Sequence, residues 1–127
     1  MYVGVDVLYA YLKESDWLKE SAEKILKKKV KTSVITIVEV EIVAKRDFGD
    51  EFANSVFERL KELKSLEIVS LEPKILEKAV EFRINFGLNI FDSLHAASAF
   101  VLDEEIVSSD RVYDIVEGIE RIDPREF

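Results

Sequence analysis

Four acidic residues, Asp6, Glu39, Asp92 and Asp110, each stand at the end of a short apolar run or at the start of a helical pattern. Taken singly, each has an ordinary explanation. Asp6 and Asp110 suit caps for the helices that follow them, Glu39 completes a T-x-x-E capping box with Thr36, and Asp92 is a first-turn acid favoured by the helix dipole. Taken together they describe one locus, because all four occupy the junction between a strand end and a helix start. Carboxylates gathered there would repel by roughly 4 kcal/mol per close pair at an effective dielectric of 20. They would need protons or a cation. Mg2+ or Mn2+ is the matching partner, since both take oxygen ligands, keep waters and leave room for substrate phosphate. Two such ions about 4 Å apart can activate a water and stabilise the leaving oxygen in phosphodiester cleavage.

The rest of the chemical inventory narrows the choice. Cysteine is absent, which removes disulfides, thiol catalysis and Cys-ligated zinc. No Gly-x-Ser-x-Gly segment occurs, and Ser93, Ser108 and Ser109 have no evident base beyond His95. His95, the one histidine, follows Asp92 on an apolar helix and reads first as a packed, hydrogen-bonded core residue. Thr36, Ser108 and Ser109 are placed either to cap helices or to support the acids. The net charge of -8 argues against nucleic-acid binding by bulk electrostatics, yet it leaves room for a nuclease that holds phosphate through a metal. One basic run, Lys24, Lys27, Lys28, Lys29 and Lys31, reads as a solvated helix end helped by the macrodipole, with a nearby nucleic-acid strand as its other candidate role. No apolar run reaches the ~20 residues of a membrane span, and the start lacks the basic segment and cleavage site of a signal peptide. The expectation is a soluble cytoplasmic protein with no membrane partner, and at 127 residues one domain over residues 1–127.

The elements that must position these acids follow from periodicity. Residues 2–5 form a short apolar strand ending at Asp6, and Val7, Leu8, Tyr11 and Leu12 then take helical spacing. Ser15 is placed to cap a helix through Trp17, Leu18, Ala22, Ile25 and Leu26. Residues 31–34 read as a strand, with a helix beginning near Thr36. Residues 47–50 read as a turn around Gly49, residues 52–66 as a charged helix, and residues 67–71 as a strand. Pro73 opens a helix that stops at Gly87. The next helix carries Ile90, Phe91, Leu94, Ala97, Val101 and Leu102 with small residues Ala96, Ser98 and Ala99, a pattern suited to close packing on a sheet. Residues 105–108 give a strand, residues 112–116 a helical turn and residues 119–122 a last strand. Strands separated by helices predict a three-layer α/β/α fold with a mainly parallel central sheet of four or five strands. Ligands of such sheets bind beyond the C-terminal strand ends, where the strand order reverses. Asp6 and Asp110 meet there if the first and fourth strands are neighbours.

These residues resemble the PIN domain family, in its small stand-alone form typified by VapC toxins of prokaryotic toxin–antitoxin pairs. The resemblance spans nearly the whole chain and rests on VGVDVL, SVITIVEV with Glu39, FDSLHAASA with Asp92, and SSDRVYD followed by GIERIDP. It implies a parallel sheet with helices around it and a site of three or four acids binding Mg2+ or Mn2+. It implies endonuclease action on single-stranded RNA, a homodimer, and inhibition by an antitoxin that covers the site. Matched position by position, Asp6, Glu39, Asp92 and Asp110 are the family's acids, with Asp114 an optional fifth. Glu41 is a rival to Glu39, and the T-x-x-E spacing favours Glu39. One departure stands at Leu8, where the family often has Asn or Ser.

The leading reading is therefore a metal-dependent endoribonuclease acting as a toxin. Leu8 keeps a rival alive: a PIN-fold RNA- or protein-binding module with weak or lost catalysis. A phosphoacceptor signalling domain expects paired acids after the first strand and a Lys after the last, whereas Asp6 stands alone and Ile122 precedes Asp123. A haloacid-type phosphatase expects D-x-D where this chain has Asp6-Val7-Leu8. Both fall behind.

Overall fold

A computed structural model describes residues Met1–Phe127. Five strands and six helices alternate along the chain: β1 (Tyr2–Val3), α1 (Val5–Leu12), α2 (Lys19–Ile25), β2 (Val30–Ser33), α3 (Val34–Phe48), α4 (Asp50–Lys61), β3 (Leu66–Val69), α5 (Pro73–Phe86), α6 (Ile90–Val101), β4 (Ile106–Val107) and β5 (Arg121–Ile122). A 3₁₀ turn (Arg111–Ile115) joins the last two strands, and another (Pro124–Glu126) ends the chain. The sheet order is β3-β2-β1-β4-β5 and every pairing is parallel. This is the three-layer α/β/α architecture that the alternation predicts.

Both faces of the sheet are covered, and the period of two along each strand divides its side chains between two cores. Val3 and Val107 point into one, with Val7 and Leu8 of α1, Ala22 and Ile25 of α2, Val40 and Ala44 of α3, and Val56 and Leu60 of α4. Tyr2 and Ile106 point into the other, with Ala79 and Phe82 of α5 and Leu94, Ala96 and Ala97 of α6. Fully burying a side chain such as Leu60 is worth about 1.5–3 kcal/mol. The alanines of α6 are completely buried, which brings that helix close to the sheet and carries Asp92 and His95 with it.

Several boundaries differ from the sequence expectation. Helix α1 begins at Val5, so Asp6 lies in its first turn and not between strand and helix. Ser15 does not cap α2; the Asp16 carboxylate accepts the Leu18 N–H at 2.8 Å. Helix α3 starts at Val34, so Thr36 is interior and the Thr36–Glu39 capping box does not form; Ser33 holds the cap position without a side-chain bond. The hydroxyl of Thr36 is spent elsewhere, as shown below. The turn expected over residues 47–50 shrinks to Gly49, whose φ of +93° allows α4 to start one residue after α3 ends, a conformation costly for any residue with a Cβ. At both ends of α5 the expectations hold: Pro73 opens it and Gly87 closes it in the left-handed region at φ 70°.

Candidate functional site

Strand order reverses between β1 and β4, because the chain builds β2 and β3 on one side of β1 and then crosses to the other. Beyond the C-terminal ends of these two strands lies a cleft of about 370 Å³ whose lining includes Asp6, Glu39, Asp92 and Asp110. All four sequence-derived acids thus reach one place, from α1, α3, α6 and the β4–β5 connection. Asp114 does not line the cleft; it takes two hydrogen bonds from Arg121, at 2.8 and 3.1 Å. Glu41 does not line it either.

Each acid is held differently. Asp6 does not cap its helix. Its Oδ2 accepts from the backbone N–H and the hydroxyl of Ser109, at 2.7 and 2.6 Å, while Oδ1 is buried and meets no donor. A Cβ on Gly4 would come within 3.3 Å of that oxygen, so the bare glycine keeps the space beside it open. Glu39 accepts from His95 Nε2 at 2.7 Å. Asp92 follows the Asn89 cap, whose side chain accepts the Asp92 N–H at 2.8 Å, and Tyr113 donates to Asp92 Oδ1 at a long 3.5 Å. Asp110 is exposed and does cap the 3₁₀ turn, accepting from Val112 N–H at 3.0 Å.

The electrostatics of the cleft are those of crowded anions. Burial, then the neighbouring charge of Asp110 and more weakly of Glu39, pushes the Asp92 carboxyl above the usual carboxylate range. Tyr113 is raised by burial and then by Asp92, and stays a neutral donor. Arg46 is the one Lys or Arg in the lining. It is tied to Asp47 at 2.9 and 3.3 Å, and the Tyr9 hydroxyl donates to Asp47 at 2.7 Å. Arg46 and Tyr9 together hold Asp47 down at about 2. The basic run does not serve this cleft. Lys29 and Lys31 join Lys64 and Met1 around a separate depression at the N-terminal ends of the strands, and Lys24, Lys27 and Lys28 lie beside Phe127.

No three Asp, Glu or His side chains stand close enough to make a ready-formed metal cluster. The donor set nevertheless fits a hard divalent cation. It is all oxygen, and a buried carboxylate oxygen without a partner is the kind of group that a cation satisfies.

Sequence reasoning missed three residues of this site. Arg46 and Tyr9 carry no local motif, and Tyr113 stands inside SSDRVYD without being singled out by it. Ser109 takes the supporting role expected of it and hydrogen-bonds Asp6 through both its N–H and its hydroxyl. Leu8 is fully buried in the core and does not reach the cleft; the polar support for Asp6 comes from Ser109, 103 residues away.

A doubly wound α/β chain with a carboxylate-lined cleft at its switch point defines the class. Residues 1–119 match the PIN domain model, and the chain belongs to the PIN domain family. Among solved structures, VapBC2 from Rickettsia felis, bound to a DNA fragment from its promoter, is similar at a TM-score of 0.77 with 15% identity, covering 96% of each chain. A toxin–antitoxin complex from Klebsiella pneumoniae is similar at 0.72 with 19% identity, covering 97% of this chain and 96% of that one. VapC20 from Mycobacterium tuberculosis, a sarcin-ricin loop cleaving toxin, is similar at 0.72 with 15% identity, covering 85% and 86%. At these identities the likeness is one of fold. No curated protein matches the chain. No helix is long and apolar enough to cross a membrane.

Proposed function

We propose that residues 1–127 work as one PIN-like nuclease domain, a metal-dependent endoribonuclease of the VapC type that acts as the toxin of a toxin–antitoxin pair. The observation that carries this reading is the convergence of Asp6, Glu39, Asp92 and Asp110 on one cleft, with Asp6 Oδ1 buried and unpartnered. These four residues would hold Mg2+ or Mn2+. Bound there, the ion supplies Lewis acidity and an activated water for phosphodiester cleavage. The chain's own residues do the rest. Ser109 and His95 fix two of the carboxylates, Asp110 and Asp92 bring charge to the cleft mouth, and Arg46, tied to Asp47 through two nitrogens, keeps a third that can meet a substrate phosphate.

RNA as substrate is supported by the fold shared with a toxin that cleaves the sarcin-ricin loop. An antitoxin partner is supported by the likeness to a toxin–antitoxin complex. A homodimer is supported by two exposed apolar stripes, Val34, Val38 and Ile42 on α3 and Leu76, Val80 and Ile84 on α5, which a second copy could cover. The rival reading, a PIN-fold binding module without catalysis, rests on Leu8. That residue lies in the core, and Ser109 supplies the polar contact instead, so no observation favours the rival.

The test is cleavage of single-stranded RNA by the purified chain with Mn2+, beside Asp92→Ala and an EDTA control. Cleavage that needs both metal and Asp92 is expected. Activity that survives both controls would sink the mechanism, and an inactive native chain would favour the binding module.

A further inference from the structure

We propose that His95 is a positioning residue for Glu39, and that the buried hydroxyl of Tyr2 sets its tautomer. This rests on the reading of Glu39 as a metal ligand. Four elements contribute. Tyr2 comes from β1, Ser33 from the end of β2, Thr36 and Glu39 from α3, and His95 from α6. Tyr2, Ser33 and Thr36 are fully buried and His95 is 2% exposed, so every polar atom among them requires a partner.

The Glu39 carboxylate at one end of the chain and the hydroxyls at the other suggest one direction for its bonds. The Tyr2 hydroxyl lies 2.8 Å from Ser33 Oγ, 3.0 Å from Thr36 Oγ1 and 2.9 Å from His95 Nδ1. Ser33 and Thr36 can each give a proton to the phenol oxygen, and the phenol proton then goes to Nδ1. Burial raises the Tyr2 hydroxyl above its usual range, which keeps that proton in place. With Nδ1 accepting, the ring carries its proton on Nε2. A carboxylate only accepts, so Nε2–H donates to Glu39 Oε1 across 2.7 Å.

The result is a half-exposed, flexible glutamate tied at one oxygen to a rigid buried ring. Its second oxygen is left for a ligand. Asp6 shows the same division, with Oδ2 held by Ser109 and Oδ1 buried without a partner. Partners that hold the far side of a ligand in this way typically change metal affinity about 10–100-fold when removed.

The full chain tests this in two measurements. His95 is the only histidine, so its ring nitrogens give unambiguous NMR signals. A proton on Nε2 with Nδ1 unprotonated is expected, and a proton on Nδ1 alone overturns the assignment. Mn2+ binding by calorimetry is then compared across variants. His95→Leu is expected to weaken Mn2+ by about tenfold. His95→Gln, whose amide can reach the place of Nε2, is expected to recover most of that, and Tyr2→Phe to cost a few-fold at unchanged side-chain volume. Where His95→Leu fails to fold, Tyr2→Phe and His95→Gln carry the test. Tyr2→Phe and His95→Leu with native melting and native Mn2+ affinity, beside Glu39→Ala that loses it, overturn the role of His95 and leave the metal reading standing. Glu39→Ala that binds Mn2+ like the native chain overturns both.

Discussion

The two edges of the sheet use carboxylates in opposite ways. At the N-terminal edge, Glu104 accepts from the Met1 amino group and pairs with Lys31 at 3.2 Å, and these partners hold its carboxyl below the usual range. At the C-terminal edge, Asp92 sits among Asp110 and Glu39 and is pushed above it. The same side-chain chemistry therefore stabilises one edge and strains the other. A fold that gains from pairing every acid would place a lysine in the cleft, yet its single cation, Arg46, is tied to Asp47. On the proposed reading, a bound divalent cation would supply the counter-charge.

The largest effect expected from this difference is on catalysis. Asp92→Ala should lower RNA cleavage by about 100-fold or more, while Glu104→Gln should leave it nearly unchanged; equal losses in initial rate would erase the distinction between the edges. Next is metal. Mn2+ at about 100 times its Kd should stabilise the native chain by about 2.7 kcal/mol in thermal melts, EDTA should reverse this, and Asp6→Asn should abolish it.

Smaller, and opposite in sign at the two edges, is the response to pH in EDTA. The raised Asp92 carboxyl contributes stability that is present below its unfolded pKa and lost as pH rises through the folded one. Asp92→Asn should therefore stabilise the metal-free chain at neutral pH by about 1 kcal/mol. The lowered Glu104 contributes stability that is present above its unfolded pKa and lost as pH falls through the folded one, so Glu104→Gln should destabilise at neutral pH by about 1 kcal/mol. Urea melts at pH 7 that show the same sign for both would break the comparison. The smallest effect is at Tyr9: Tyr9→Phe removes the donor to Asp47 and should cost about 0.5 kcal/mol, read by urea midpoint.

Much of this arrangement is legible in the chain because the relevant signals are local. Alternating strands and helices give the layers, and an acid after each of two strands becomes a site once β1 and β4 are neighbours. The errors arise where a residue's partner is distant in sequence. Thr36 and Glu39 have the spacing of a capping box, but the Thr36 hydroxyl belongs to Tyr2 and the Glu39 carboxylate to His95, contacts that exist only after β1, α3 and α6 have packed. Leu8 offers Asp6 no polar partner along the helix. In space Ser109 supplies that contact, approaching from beyond the fourth strand. His95 fits its expected role as a hydrogen-bonded core residue, and the fold adds that one of its bonds reaches into the cleft.

The most direct test of the unpaired cleft is anomalous diffraction from crystals of the native chain soaked in Mn2+. A peak is expected beside Asp6 Oδ1, between Glu39, Asp92 and Asp110. A cleft without a peak, or a peak only near Glu104 at the opposite edge, would contradict it.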